Sequence, residues 1–277
     1  MSRKLGILAG GGALPGRLIA TCQAEGRSFF VLAFSGHADP SAIEGVPHAW
    51  LRLGEAGRGF EMLRQAGVEE VVMAGPVRRP TLRDLRPDWR TARFFGRIGL
   101  KALGDDGLLK AVIAELEDEG FRVVGIHSIL GDLLADEGGW GTIEPDEQAV
   151  ADIQRGLEVA LGLGALDVGQ SVVVQQGIVL GVEAVEGTDA LLRRCCDLRR
   201  AGPGGVLVKI SKPGQERRVD LPTIGPDTVK NCVAAGLRGI AVEAGSTVVV
   251  DRAAVITAAD ASGLFVCGVT VDKEAGR

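Results

Sequence analysis

The sequence predicts a two-domain α/β protein, and three observations support this expectation. Strand-like and helix-like segments alternate along the first half of the chain, which is the pattern of a parallel sheet with helices on both faces. Hydrophobic residues make up 46% of the chain and aromatic residues only 4%, a composition that favours buried parallel strands and helices over a β-sandwich. The length of 277 residues is sufficient for two domains with cores of their own.

The first domain is expected to span residues 1–134. Its strands are short apolar runs, and its helices repeat apolar residues every three or four positions. The predicted strands cover residues 4–9, 29–34, 49–53, 70–74 and 121–127. The predicted helices cover residues 13–25, 57–67 and 107–119. This order indicates a Rossmann-like parallel sheet.

The second domain is expected to span residues 146–277, after a linker at 135–145 that is rich in glycine and acidic residues. It is predicted to be α/β with a mixed sheet, because two β-rich runs flank the turn signal Gln176-Gly177 as in a hairpin. The predicted strands cover residues 171–175, 178–183, 206–210, 239–242, 247–250 and 264–269. The predicted helices cover residues 146–161 and 187–198, a stretch beginning near 226, and 252–261.

Composition excludes several classes of protein. The net charge of −5 gives no reason to expect nucleic acid as a partner. Five cysteines include no CxxC pair, which argues against a zinc site or a disulfide framework and favours the reduced thiols of a cytoplasmic protein. The apolar runs are too short for a signal peptide or for a membrane span of roughly 20 residues. The protein is therefore expected to be soluble, or at most peripheral to a membrane.

Three consecutive glycines, Gly10 to Gly12, connect the first predicted strand to the first helix. Such a turn leaves backbone N–H groups free at the helix N-terminus, where an anion such as phosphate is favoured. The glycines match only part of a dinucleotide fingerprint, since Pro15 occupies the third glycine position and no acid ends the second strand. An NAD site is therefore not expected, and a tight turn that binds nothing is the alternative.

Ligands of parallel sheets bind beyond the carboxyl ends of the strands. This rule places Gly75 and His127 in the same crevice as the triple glycine, because each follows or ends a predicted strand. The three histidines lack the spacing of a metal cluster, and the chain has no GxSxG elbow, P-loop or HExxH motif. These absences argue against a serine hydrolase and a P-loop kinase.

The second domain offers two helix starts that carry acidic residues, Thr188-Asp189 and Pro226-Asp227. Helix capping is one interpretation of both acids. The other is that Asp227 binds a divalent cation or deprotonates a water. Lys209 and Lys212 could neutralise a diphosphate, although ordinary exposed lysines would look the same in the sequence.

The segment 78–101 mixes eight cationic residues with apolar and aromatic ones. Such a segment can bind an anionic ligand or lie on an anionic membrane. A solvated helix face is the alternative.

Several motifs occur along the chain in this order: GILAGGGALP, AGPVRRP, GDDGLL, DVGQSVVVQQGIVLGVEAVEGTDALLRR, and RRVDLPTIGPDTV followed by GLRGIAVEAG. Together they resemble the LpxI family of UDP-2,3-diacylglucosamine pyrophosphatases, enzymes of bacterial lipid A biosynthesis. The resemblance covers nearly the whole chain. It implies hydrolysis of UDP-2,3-diacylglucosamine to 2,3-diacylglucosamine 1-phosphate (lipid X) and UMP, with water attacking the sugar-linked phosphorus in the presence of Mg²⁺ or another divalent cation.

The resemblance also implies the site residues. The acid of the TIGxD motif is Asp227, expected to be catalytic and to bind the metal. The cytoplasmic protein is expected to meet its substrate at the inner membrane, peripherally, and a homodimer is one alternative for its oligomeric state. The expected substrate-binding residues are Gly11, Gly12, Ala13, Gly75, Asp106, Thr188, Asp189, Lys212, Asp220 and Thr223.

Two other functions fit the same motifs. A non-catalytic sensor would bind a UDP-sugar without turning it over. A nucleotide-sugar transferase would pass the sugar phosphate to an acceptor other than water.

Overall fold

The computed structural model describes residues 2–78, 87–98 and 105–272, and the chain divides into two compact units. Unit 1 comprises Met1–Gly131 and Glu216–Asp220, and unit 2 comprises Asp132–Gln215 and Leu221–Arg277. Each unit is built on its own sheet, with helices connecting the strands. The predicted two-domain α/β class is therefore confirmed.

Unit 1 contains a five-stranded sheet in the order β3-β2-β1-β4-β5, in which every neighbouring pair is parallel. The order reverses between β1 and β4, which is the position where parallel sheets of this kind open a crevice. The strands are β1 Leu5–Ala9, β2 Phe29–Phe34, β3 His48–Leu51, β4 Glu70–Ala74 and β5 Arg122–Val123.

The helices of unit 1 pack on this sheet through apolar faces. Leu63 of α2 and Leu116 of α4 belong to one buried cluster with Leu8, Leu32 and Val71 of the strands. The helices are α1 Leu14–Ala24, α2 Ala56–Gln65, α3 Trp89–Ile98 and α4 Asp105–Asp118.

The last predicted strand of unit 1, residues 121–127, is shorter than expected. After β5 the chain enters a 3₁₀ turn at Ile126–Ser128. Ser128 closes this turn, because both its backbone N–H and its hydroxyl donate to the carbonyl of Gly125 at 3.0 and 2.7 Å. A serine hydroxyl that bonds the local backbone competes with strand pairing in this way.

Asp88 and Thr91 join the starts of α2 and α3. The Asp88 carboxylate accepts from the N–H of Thr91 at 2.7 Å and from that of Gly57 in α2 at 2.8 Å. The Thr91 hydroxyl accepts from Ala56 N–H at 3.1 Å and donates to the Gly54 carbonyl at 2.8 Å. One carboxylate thus caps two helices, which satisfies donors that each helix start would otherwise leave unpaired.

The basic segment 78–101 is described at residues 78 and 87–98, and residues 79–86 and 99–101 lie outside the described part. Within it, Arg90 and Arg97 of α3 form ion pairs with Glu115 and Glu119. The Arg90 guanidinium also lies 5.1 Å from the centre of the Phe60 ring. These arginines hold α3 against neighbouring parts of unit 1.

The segment Glu216–Asp220 returns to unit 1 from the later part of the sequence. Arg218 pairs with Glu117 of α4 at 2.6 Å and with Glu216 at 2.9 Å. Val219 packs against the same apolar cluster that contains Leu116. These contacts make the segment a structural part of unit 1.

Unit 2 contains a mixed six-stranded sheet in the order β6-β13-β11-β9-β7-β8, together with a separate parallel pair, β10 and β12. In the larger sheet, β9, β11 and β13 are parallel to one another, whereas β7 is antiparallel to both β8 and β9. The strands are β6 Gly138–Gly139, β7 Ser171–Gln175, β8 Ile178–Val182, β9 Val206–Lys209, β10 Thr223–Ile224, β11 Gly239–Glu243, β12 Val248–Val249 and β13 Phe265–Val269.

The helices of unit 2 are α5 Glu147–Ala165, α6 Thr188–Cys195, α7 Pro226–Ala234 and α8 Arg252–Ala261. The residues expected to form a linker, 135–145, include β6, which pairs antiparallel with β13. Ala135, which precedes β6, is buried in the core of unit 2.

The predicted hairpin is present at β7 and β8. Gln176 and Gly177 have φ of 53° and 75°, and positive φ at both central residues is what the tight type I′ hairpin turn requires. Their N–H groups donate to the buried carboxylate of Asp152 at 3.0 and 2.7 Å. The two hydrogen bonds to Asp152 of α5 therefore stabilise the turn.

All five cysteines are free thiols, and four of them are buried. Burial raises the pKa of Cys267 to about 11 and also raises the pKa values of Cys22, Cys195 and Cys232. Cys196 is the exposed one. Among the described residues, no helix is both long and apolar enough to cross a membrane.

We expect Asp88→Ala to lower the free energy of unfolding by about 1–2 kcal/mol, because it removes the cap of two helices. Burial opposes ionisation of Asp88, but hydrogen bonds from Thr91, Gly57 and Arg58 outweigh it and lower the pKa of the carboxyl. A lowered folded-state pKa stabilises the fold at neutral pH, and this contribution is lost as pH falls through that pKa.

Urea denaturation at neutral and acid pH would measure the effect. The control is Asp118→Ala, which removes an exposed acid of α4. An Asp88→Ala protein as stable as this control at neutral pH would contradict the double cap.

Candidate functional site

The triple glycine of unit 1 lies where the loops after β1 and β4 touch. Gly10 N–H donates to the Ala74 carbonyl at 2.8 Å, and Gly11 N–H donates to the Pro76 carbonyl at 2.9 Å. A Cβ at Gly75 would lie 2.0 Å from the carbonyl oxygen of Gly11, and Gly75 has a φ of +85°. Glycine is thus required because the two loops approach through their backbones.

The helix that follows this turn, α1, begins without a side-chain cap at Ala13. Its second residue, Pro15, has no N–H, so the turn presents fewer donors than an ordinary helix start. Gly12, with a φ of +74°, turns the chain into the helix. The structure therefore brings Gly11, Gly12, Ala13 and Gly75 together, with the N–H of Gly11 already bonded inside the protein.

His127 is half-buried in the 3₁₀ turn that follows β5. Burial, and secondarily the charge of Arg217, lower the pKa of its imidazole. Its Nδ1 is buried and has no hydrogen-bond partner. Asp106, another predicted site residue, lies in the first turn of α4, and its side chain is outside the described part of the structure.

A groove of about 650 Å³ lies on the surface of unit 1, lined by residues of α2, α3 and α4. Its walls carry charged side chains of both signs, such as Arg58, Arg93 and Asp118. None of the predicted site residues that the structure describes lines it. The groove instead includes arginines of the basic segment 78–101.

In unit 2, buried polar side chains collect at one edge of the sheet. Lys209 ends β9 and is paired in register with Ser171, which begins the antiparallel β7. Glu183 follows β8, and Glu243 ends β11, so the four side chains share this edge. They are all at least nine-tenths buried, together with Ser211, Ser246 and Thr247.

Apart from Lys209, none of these residues was predicted from the sequence to have a functional role. The signal was present, because each of Glu183, Lys209 and Glu243 follows directly on an apolar strand run. A polar residue at that place is easily taken for the first residue of an exposed loop.

Thr188, the first residue of α6, connects several of these groups. Its hydroxyl donates to Glu183 Oε1 at 3.0 Å and accepts from Lys209 Nζ at 3.0 Å. Ser171 Oγ lies 3.2 Å from the same hydroxyl. Lys209 Nζ also donates to the backbone carbonyl of Thr223 at 3.1 Å, just before α7. The Lys209 ammonium therefore contacts the first residue of α6 and the backbone just before α7.

Helices α6 and α7 are joined by a hydrogen bond from Asn231 Nδ2 to Asp189 Oδ1 at 2.9 Å. Asp227 lies one turn before Asn231 on α7, where residues four apart share a face. Its side chain is 89% exposed, and Lys230 Nζ donates to its Oδ1 at 2.8 Å. Thr188, Asp189, Thr223 and Asp227 are thus parts of one region of unit 2.

Two predicted site residues have partners elsewhere. Lys212 Nζ donates to Asp167 Oδ1 at 2.7 Å, beyond the end of α5. Asp220 is the last residue of the segment that belongs to unit 1, and its N–H donates to the Glu216 carbonyl at 3.0 Å.

The acidic side chains of this region limit the kind of metal site that it could form. In the described part of the chain, no group of three or more His, Cys, Asp or Glu side chains could hold an ion. Mg²⁺ is often bound by one or two carboxylates, with substrate phosphates and waters completing its shell. The acids of this region are Asp189, which accepts from Asn231, and Asp227, which accepts from Lys230, so the described residues do not form an all-protein cage.

Comparison with known proteins gives matches along almost the whole chain. The family model of the LpxI N-terminal domain matches residues 4–133, and that of the LpxI C-terminal domain matches residues 136–267. UDP-2,3-diacylglucosamine pyrophosphatase LpxI of Caulobacter vibrioides is 48% identical over 274 residues, which cover 96% of this chain and 98% of that protein.

Similarity to solved structures is much weaker. An Aspergillus clavatus N5-carboxyaminoimidazole synthase, in complex with ADP and a ribonucleotide, aligns with a TM-score of 0.25 and 13% identity. The alignment covers 69% of this chain and 43% of that one, so the chain spans less than half of its length. This likeness supports no argument about function.

We expect Gly75→Ala to destabilise the protein more than Gly67→Ala does. Both glycines have positive φ, at +85° and +68°, but a Cβ at Gly67 meets nothing within 4 Å. The left-handed conformation alone costs an alanine about 1–2 kcal/mol. The additional loss in Gly75→Ala would report the contact with the Gly11 carbonyl.

Thermal and urea denaturation of both variants would measure this difference. Equal losses in the two variants would show that the loops after β1 and β4 do not need their close approach.

Proposed function

The chain belongs to the LpxI family, and from this membership we propose that it hydrolyses UDP-2,3-diacylglucosamine to 2,3-diacylglucosamine 1-phosphate and UMP in lipid A biosynthesis. The observation that carries the proposal is the 48% identity to the Caulobacter pyrophosphatase over 96% of this chain and 98% of that protein. An identity that spans both domains argues for an enzyme of the same kind.

The proposed reaction replaces one phosphorus–oxygen bond with another. Water attacks the sugar-linked phosphorus, the bond from that phosphorus to the bridging oxygen breaks, and the bridging oxygen leaves with UMP. The attacking water gives up a proton, for which the Asp227 carboxylate is the proposed acceptor. The oxygen of the water then resides on the sugar phosphate.

The substrate diphosphate carries several negative charges, and unit 2 offers groups that match them. Lys209 supplies an ammonium, while α6 supplies N-terminal backbone N–H groups. Helix N-termini and cations are recurrent partners of phosphates. We therefore assign the diphosphate to this region, with Thr188 contributing through its backbone.

We propose that Asp227 of α7 is the catalytic carboxylate. Asp189 lies on α6, the helix that is hydrogen-bonded to α7. When bound, a divalent cation would be held by these acids and would neutralise charge on the phosphates and acidify a water. The exposure of Asp227 leaves it open to an ion, to the water or to substrate. Further substrate contacts are proposed for Gly11, Gly12, Ala13, Gly75, Asp106, Lys212, Asp220 and Thr223.

The substrate carries two acyl chains, so we propose that the protein works at the cytoplasmic face of the inner membrane as a peripheral protein. Helix α3 supports this proposal. Trp89 is 83% exposed and Phe95 is 38% exposed, on a helix that also carries Arg93. Aromatic and cationic side chains on one helix are typical of contact with an anionic lipid surface.

Oxygen-18 labelling would test the reaction. Purified protein is incubated with UDP-2,3-diacylglucosamine and Mg²⁺ in detergent, with or without chelator, in labelled water. We expect UMP without label and labelled 2,3-diacylglucosamine 1-phosphate, formed only without chelator. Binding without UMP would favour the sensor, and product that forms only with an added acceptor would favour the transferase.

Variants test the assignment of the carboxylate. We expect Asp227→Asn to lower kcat by about 10²–10⁴-fold, the usual contribution of acid–base groups, without changing the unfolding transition. Glu158→Gln, an exposed acid of α5, serves as the control. Asp220→Asn is measured alongside, because full activity of Asp227→Asn with loss in Asp220→Asn would transfer the role to Asp220.

A further inference from the structure

We propose that Thr188 positions Lys209 through its side chain, and that Glu183 fixes the orientation of the Thr188 hydroxyl. The inference rests on the proposed function in one respect, since it takes the Lys209 ammonium as the group that faces the diphosphate. Nothing in the sequence motifs assigns a role to Glu183 or to the Thr188 hydroxyl.

The Thr188 hydroxyl carries a single proton. A hydroxyl donates one hydrogen bond and accepts two. Glu183 Oε1, at 3.0 Å, can only accept when the carboxyl is ionised, so Thr188 donates to it. The ammonium of Lys209, at 3.0 Å, can only donate, so Thr188 accepts there. Ser171, at 3.2 Å, must then be the donor of the remaining contact.

All three hydrogen-bonding positions of the Thr188 hydroxyl are therefore taken by the protein. A substrate atom could bind this hydroxyl only by displacing Glu183, Ser171 or Lys209. The backbone N–H of Thr188, at the start of α6, is not engaged by this network. The side chain is thus better suited to hold its neighbours than to contact substrate.

Lys209 needs such a support. Lys209 is only 8% exposed at the end of β9. A lysine ammonium is a point charge on a flexible side chain, and that side chain loses rotamer freedom when the ammonium is fixed. Lys209 donates hydrogen bonds to two different elements, to the Thr188 hydroxyl of α6 and to the Thr223 carbonyl of β10. These two hydrogen bonds hold the ammonium between the start of α6 and the backbone just before α7.

Glu183 completes the arrangement. It is 7% exposed, follows β8 directly, and its backbone N–H donates to the Ser171 carbonyl at 2.8 Å. Its acceptor Oε1 directs the Thr188 proton away from Lys209, so that the oxygen lone pairs face the ammonium. Without this acceptor the hydroxyl could rotate, and Lys209 would lose a directed partner.

A fixed cation matters for phosphoryl chemistry because charge stabilisation is effective only when the donor already points at the reacting group. Thr188→Val keeps the shape of the side chain and removes the hydroxyl, whereas Thr188→Ser keeps the hydroxyl. We expect Thr188→Val to lower kcat/KM on the order of tenfold or more, as for loss of a hydrogen bond to a charged group, with Thr188→Ser near wild type.

A double-mutant cycle with Lys209→Met decides whether Thr188 acts through Lys209. We expect the double variant Thr188→Val/Lys209→Met to be no slower than Lys209→Met alone. Glu186→Gln, an exposed acid of the same loop that pairs with Arg194, is the control and should keep wild-type kinetics. Additive losses, or a Thr188→Ser protein as impaired as Thr188→Val, would overturn the proposal.

A second readout does not depend on turnover. In ¹⁵N NMR of lysine side chains, a held ammonium exchanges its protons slowly, so Lys209 should give a resolved Nζ signal in wild type that Lys209→Met assigns by its loss. We expect that signal to vanish in Thr188→Val and to persist in Thr188→Ser and Glu186→Gln.

If wild type produces no UMP while the NMR pattern is as expected, the proposed function fails and the positioning role stands. If UMP forms but the Lys209 signal is unchanged in Thr188→Val, the positioning role fails and the proposed function stands. Thermal unfolding of every variant excludes loss of fold as the cause.

Discussion

The buried ammonium of Lys209 is the constraint on which the polar region of unit 2 depends. A charge that is removed from water must be compensated by hydrogen bonds or an opposite charge, since its desolvation costs several kcal/mol. Strand β9 ends at this residue inside the sheet. The Thr188 hydroxyl at the start of α6 and the Thr223 carbonyl before α7 both accept hydrogen bonds from this ammonium, and together these bonds fix how the elements pack.

Much of this arrangement could be predicted from the sequence where the signal is local. The Gln176-Gly177 turn, the glycines after β1 and the start of a helix near Thr188 each depend on a few neighbouring residues. The pairing of Thr188 with Ser171 and Lys209 could not be predicted, because it joins residues 17 and 21 positions apart through the register of an antiparallel strand.

Two other features could not be predicted from the sequence because they too depend on the folded structure. The predicted strand at 247–250 contributes β12, which pairs with the short β10 and not with the large sheet. Strand composition indicates an extended, half-buried segment but not its neighbour. Asp227 matched a cap and a site acid equally well in sequence, and its near-complete exposure and its pairing with Lys230 are properties of the folded helix surface.

The return of Glu216–Asp220 to unit 1 has a consequence for dividing this protein. The chain passes between the units at three places along the sequence, so one cut near residue 131 does not release a complete first unit. A fragment of residues 1–131 would lack Val219 at its apolar cluster and Arg218 beside Glu117. The apolar surface exposed in this fragment would favour its aggregation in solution. Formation of the complete first unit therefore requires a segment that lies late in the sequence.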